Sequence, residues 1–207
     1  MTMTERFLKA KHWQLFALMF GIPMVFQFVA MGAMIASVAD GTPPTPAEML
    51  SFFKFFPVLM IVLSATFFGW FWSIAIGLQD KVPAHVKMKT RKFKIFFFVP
   101  IIYLPLFSLG MVTVMSAVVG MAETGGQPNI GLMGSIMAII FPLHFFTMFC
   151  MFYTLYFVAK TFKTVELQRE TAFSDFVGEF FMLWFYPIGI WIIQPKVNKM
   201  VEGGEAL

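Results

Sequence analysis

Asp175 and Glu179 stand four residues apart, a spacing that puts two carboxylates on one face of a helix. Such a pair can offer oxygens to one cation, or hold an acid beside a base. The plainer reading is an ion-paired surface, because six Lys and Arg lie nearby at the membrane edge. His144, just after Pro142, is the only ionisable group inside the four long apolar runs. A metal, haem or proton-relay role is open to it, but no second ligand lies at a matching spacing, so a neutral imidazole bonded between helices is the simpler expectation. His12 and His85 lie at the edges of those runs, and three scattered His with one Cys supply neither a zinc pattern nor paired haem ligands. Cys150, in an apolar run, reads as a small packed hydrophobe. No catalytic residue, cofactor or metal is assigned.

The elements that must carry these groups follow from composition. Of 207 residues, 59% are hydrophobic and 13% charged, with 29 Phe, 18 Met and a mean hydropathy of +0.79. That leaves too little polar surface for a soluble globule and predicts an all-α integral membrane protein. Four apolar runs, about 13–39, 55–78, 95–121 and 130–159, each exceed the ~20 residues that cross ~30 Å of hydrocarbon. None alternates as a barrel strand would, so a four-helix transmembrane bundle in a single domain, 1–207, is expected. The middles of the runs carry no charge, which argues against a proton-driven carrier.

Lys and Arg orient the helices. Arg6, Lys9 and Lys11 precede the first run; Lys81, Lys87, Lys89, Arg91, Lys92 and Lys94 follow the second; Lys160, Lys163 and Arg169 follow the fourth. These segments belong in the cytoplasm, with both termini. The connections at 40–54, with Pro43, Pro44 and Pro46, and at 122–129 are poor in positive charge and read as external. The net charge of +4 is used up by this arrangement, so the expected partners are anionic lipid headgroups at Lys81 to Lys94, and not nucleic acid. Ser37-Val38-Ala39 mimics a signal-peptide cleavage site, but the preceding run is too long for one and reads as a retained anchor.

A fifth apolar stretch, about 174–193, contains Glu179, Pro187 and Gly189. Crossing would carry Lys196 and Lys199 outside, so a re-entrant or interfacial helical segment is expected, capped at Ser174 and ended by Gln194-Pro195, with a cytoplasmic tail over 194–207. Cytoplasmic Lys or Arg from Lys81 to Lys94 are the expected partners of Glu179. Ala65, Gly69, Ser73 and Gly77 recur every four residues in the second run, a small-residue stripe that lets another helix of the chain, or a second copy, approach closely. Gln14 and Gln27 need partners in lipid, which a carbonyl freed by Pro23 could supply, and Trp13, Trp70, Trp72, Trp184 and Trp191 read as interface anchors. A shift of about 81 residues lays Phe68, Phe71 and Trp72 over Phe149, Phe152 and Tyr153, as two repeated helical hairpins would.

Lys9-Ala10-Lys11-His12-Trp13-Gln14-Leu15-Phe16 with Gly21-Ile22-Pro23, together with Tyr186-Pro187-Ile188-Gly189-Ile190-Trp191 and Gln194-Pro195-Lys196-Val197-Asn198, resembles a group of uncharacterised bacterial multi-pass membrane proteins. The resemblance implies a bacterial inner-membrane location and transfers no activity or site. The leading expectation is a non-enzymatic accessory, scaffold or interaction subunit that works by helix packing, with a membrane protein partner or a second copy. A small transporter or channel with a parallel two-helix repeat and Pro-broken helices is the second. A lipid-modifying enzyme using Asp175 or Glu179 as base is the third, although no nucleophile accompanies them.

Overall fold

The computed structural model describes residues 1–42, 45, 48, 50, 54–127 and 130–203, apart from the side chains of Ala122 and Leu132. Pro43, Pro44 and Pro46, the last two residues of the second external connection and the end of the tail at 204–207 lie outside the described residues. Those described are helical, with turns and no strand. A short α1 (Met3–Lys9) leads into α2 (His12–Phe16), a π-helical turn (Ala17–Gly21) and α3 (Ile22–Ala39). Then come α4 (Phe56–Gly77), α5 (Thr90–Glu123), α6 (Ile130–Leu167), α7 (Phe173–Trp184) and α8 (Tyr186–Glu202). Four stretches are long and apolar enough to cross a membrane: His12–Ala39, Phe56–Lys81, Thr90–Met121 and Met133–Leu167.

The proline positions behave differently from one another. Pro23 has no N–H to bond the Met19 carbonyl one turn back, and the chain widens into the π turn just before it. The freed Met19 oxygen accepts from the Tyr186 hydroxyl at 3.5 Å, so neither Gln14 nor Gln27 takes it. Gln14 instead caps α2, its Oε1 accepting from the Lys11 N–H at 2.9 Å. Pro100, Pro105 and Pro142 do not break their helices: α5 and α6 run through them. Neighbouring turns carry the backbone across, as lipid-embedded helices require.

Length explains where charge sits on α6. Thirty-eight residues make a rod of roughly 57 Å, nearly twice the ~30 Å of hydrocarbon. The helix therefore continues eight residues past the expected end at Ala159 and carries Lys160, Lys163 and Glu166 beyond the apolar zone. α5 likewise begins at Thr90, before the apolar run.

The core gathers at this charged end. Trp70, Phe71, Phe93, Phe162, Phe176 and Ile190 are fully buried and belong to one cluster built from α4, α5, α6, α7 and α8, with Leu8 and Leu15 added from the N-terminal segments. The stripe on α4 is covered by α1, a short helix and not one of the long ones. A Cβ on Gly69 would lie 2.6 Å from the Phe7 ring, and one on Gly77 would meet Thr4 and Leu8. The missing side chains make the room in which α1 lies.

The terminal segment is a helical hairpin broken at Phe185, two residues earlier than Pro187. Its turn lies deep: Tyr186 packs on Phe67, midway along α4, and shares a small cavity with Leu63, Leu104 and Met151. α7 and α8 cross with their backbones in contact, because a Cβ on Gly189 would collide with the Met182 carbonyl. The start is also shifted from the expected cap. Ala172, not Ser174, is the N-cap, and Asp175 at the third helical position accepts from the Ala172 N–H at 2.9 Å. The end differs most. Gln194-Pro195 does not open a tail: α8 continues to Glu202, and Gln194 and Val197 are wholly buried. The matched positions of the repeat differ in setting, Phe68 lying in the core and Phe149 standing 55% exposed.

Candidate functional site at the charged end

Three polar groupings occupy the charged end. The first joins the two ends of the chain. Trp70 Nε1 donates to Gln194 Oε1 at 2.7 Å, and Gln194 Nε2 donates to the carbonyls of Phe7, Leu8 and Ala10 at 3.0, 3.3 and 2.8 Å. Asn198 Nδ2 adds bonds to Leu8 O at 2.7 Å and Ala10 O at 3.2 Å. Phe7 O also takes the Ala10 N–H at 3.3 Å, and at the carbonyls where α1 ends α8 supplies side-chain donors. Trp70 is thus a buried hydrogen-bond donor and not an interface anchor. Trp13, Trp184 and Trp191 keep exposed rings, and Trp191 packs on His12 with centroids 4.6 Å apart. The signal for this staple was the i, i+4 spacing of Gln194 and Asn198, one face of a helix that runs through Pro195.

The second grouping is a chain of ion pairs. Lys163 Nζ lies 2.7 Å from Glu166 Oε2 and 2.8 Å from Glu179 Oε1, and Lys196 Nζ lies 2.8 Å from Glu166 Oε1. Glu179, only 8% exposed, is therefore paired from α6, and not from Lys81 to Lys94 as its sequence position suggested. Helix α7 folds back along the end of α6, so the nearest cation in space is Lys163, sixteen positions away in sequence. Asp175 turns elsewhere, taking both arms of Arg169 at 3.0 and 3.1 Å. The guanidinium, helped by the Ala172 N–H, holds the Asp175 carboxyl below its ordinary value. Asp175 and Glu179 each have their own cation, so the pair does not converge on a single ligand. Among the described residues no group of three or more His, Cys, Asp or Glu could hold a metal.

The third grouping is a pocket of about 360 Å³ between the basic connection and α6. Lys87, Lys89, Lys92, Lys160, Tyr153, Tyr156 and Glu170 supply its polar wall. Sequence reasoning placed Lys87 to Lys92 on this side but missed the two tyrosines, which look like ordinary aromatic positions of the fourth run.

His144 lies apart from all three. Its Nδ1 is 3.1 Å from the Tyr103 hydroxyl on α5, and its ring packs near Phe107. The contact joins α5 to α6. Cys150 is buried. Of the small-residue stripe, Gly69 and Gly77 receive α1, whereas Ala65 and Ser73 line an apolar cavity of about 420 Å³ between α1, α4 and α5.

Fold and site together define a class only: an all-helical chain with four helices able to cross a membrane and a cross-linked polar end. No family model matches the chain, and no curated protein or solved structure is detectably similar to it.

Proposed function

We propose that the chain is a non-catalytic accessory or scaffold subunit of a bacterial inner membrane, with both termini and the basic connection cytoplasmic and the α7–α8 hairpin re-entrant from that side. The observation that carries the reading is α3. Eighteen residues from Ile22 to Ala39 bury no side chain against the rest of the chain, and Val25, Phe28, Val29 and Ile35 project outward. Such a helix is free to pack on a partner in the membrane, either another protein or a second copy of this chain. The two cavities beside α4 have apolar walls, which favours packing over carrying an ion. Contact between residues 7–10 and 194–198 supports termini on one side, and the hairpin's turn beside Phe67 supports re-entry over lying flat. At twelve residues α7 is about 18 Å long, too short to cross.

A photo-crosslinking residue at Val25 or Val29 tests the proposal in intact membranes. Adducts heavier than one chain are expected. Adducts with lipid alone would contradict a scaffold role, and labelling of Lys199→Cys only from outside would contradict the orientation.

A further inference from the structure

The pocket beside α6 has an uncompensated charge that the scaffold reading does not use. Several other cations at this end are occupied. Lys163 and Lys196 are in ion pairs, Arg169 holds Asp175, and Lys94 lies over the Trp72 ring at 5.8 Å. Lys87, Lys89, Lys92 and Lys160 are different: among the described residues none of the four has a carboxylate within ion-pair distance. They come from three places in the chain, the connection before α5, the first turn of α5 and the emerging part of α6, and meet around one cavity. Holding like charges together costs free energy that an anion would offset. One carboxylate, Glu170, lines the cavity against four lysines, so the site is suited to more than one negative charge. Tyr153 and Tyr156 add two hydroxyls with no hydrogen-bond partner among the described residues.

The wall below the pocket is apolar. Phe96, one turn below Lys92, packs on Tyr153 at 4.8 Å and on Phe149 at 5.7 Å, and Phe149 is exposed. A ligand seated here meets lysines at one end and a lipid-facing aromatic surface at the other. A carboxylate has two oxygens for these donors, and a phosphate diester has two free oxygens and a single charge. A phosphate monoester has three oxygens and a charge of about −1.5 to −2 at neutral pH. We propose that this pocket binds a lipid whose headgroup is a phosphate monoester, with the phosphate among Lys87, Lys89, Lys92 and Lys160, the Tyr153 and Tyr156 hydroxyls donating to it, and an acyl chain running over Phe96 and Phe149. The site needs no partner subunit, so it stands or falls apart from the scaffold reading.

Native mass spectrometry of the full chain, with added dioleoyl phosphatidic acid, dioleoyl phosphatidylglycerol or glycerol phosphate, tests the proposal. One phosphatidic acid per chain should be retained, about tenfold more tightly than phosphatidylglycerol, with glycerol phosphate weaker still. Lys92→Gln with Lys160→Gln should remove that preference, whereas Lys199→Gln, on exposed α8 surface, should keep it. Should the double lysine variant misfold, Tyr153→Phe with Tyr156→Phe keeps both rings and should still weaken phosphatidic acid binding at least about threefold. Equal retention of the two lipids, or binding untouched by the folded variants, would overturn the proposal. Glycerol phosphate binding as tightly as the lipid would overturn the lipid assignment.

Discussion

At the charged end Trp70, Phe71, Phe93, Phe162, Phe176 and Ile190 are enclosed on all sides, whereas at the opposite end α3 encloses nothing and Ile130 and Ile139 stand out from α6. The same apolar composition therefore serves two purposes. Where a helix is surrounded by lipid, an outward-facing Val or Ile costs little, since acyl chains are as apolar as a protein core. Where the chain enters and leaves the membrane, helix ends leave carbonyls and charges that lipid cannot satisfy. The polar side chains collect there: Gln194 and Asn198 on the end of α1, Lys163 and Lys196 between Glu166 and Glu179. The packed end holds the fold, and the open end leaves its apolar side chains exposed.

Substitutions that sharpen this contrast should fall in a steep order. Gly189→Ala is expected to be the most damaging, because its Cβ meets the Met182 backbone, which cannot rotate away. A loss of about 3 kcal/mol or more, read by unfolding in mixed micelles, is predicted. Gly69→Leu comes next. It should displace Phe7 and α1 for about 1–3 kcal/mol, and trimming Phe7 to Ala should restore part of that loss by making room. The Arg169–Asp175 pair is exposed and should matter less. Because the folded Asp175 carboxyl titrates below its ordinary 3.8, its stabilisation is present above pH 3.8 and fades as pH falls through the lower folded value. Wild type should thus melt slightly above Asp175→Asn at pH 7, with the gap closing only in acid below pH 3.8. Gly134→Ala, at the open end, has nothing within 4 Å of the new methyl and should change stability by less than about 0.5 kcal/mol. A loss there comparable to Gly69→Leu would erase the distinction between the ends.

The four long helices were legible because apolar runs above the ~20-residue threshold have few other outcomes. The charged residues were harder. Charge asymmetry groups Lys and Arg by side of the membrane, but it does not say which cation a carboxylate will meet, so Glu179 was matched to the densest basic segment and not to Lys163. Gln194 illustrates the other failure. A Gln followed by Pro after an apolar run looks like an exit to water, yet Pro195 is tolerated within α8 and Gln194 finds four partners supplied by distant parts of the chain. Nothing in local pattern marks such a partner. On α4 the close approach falls at Gly69 and Gly77, and the seven residues of α1 that make it were too short and too polar to suggest themselves as the occupant.

The staple between the chain's two ends is the central claim, and a double-mutant cycle on Trp70 and Gln194 tests it most directly. Trp70→Phe leaves the Gln194 oxygen without its donor, and Gln194→Leu leaves the indole N–H without its acceptor and removes one donor from the Phe7, Leu8 and Ala10 carbonyls, of which Asn198 still reaches the last two. Each should cost about 1–3 kcal/mol. Measured by reversible unfolding in bicelles, the double variant should lose less than the two single losses together by about 1 kcal/mol, because the bond can be broken only once. Losses that add to within about 0.3 kcal/mol would show that Trp70 and Gln194 do not interact and would contradict the account.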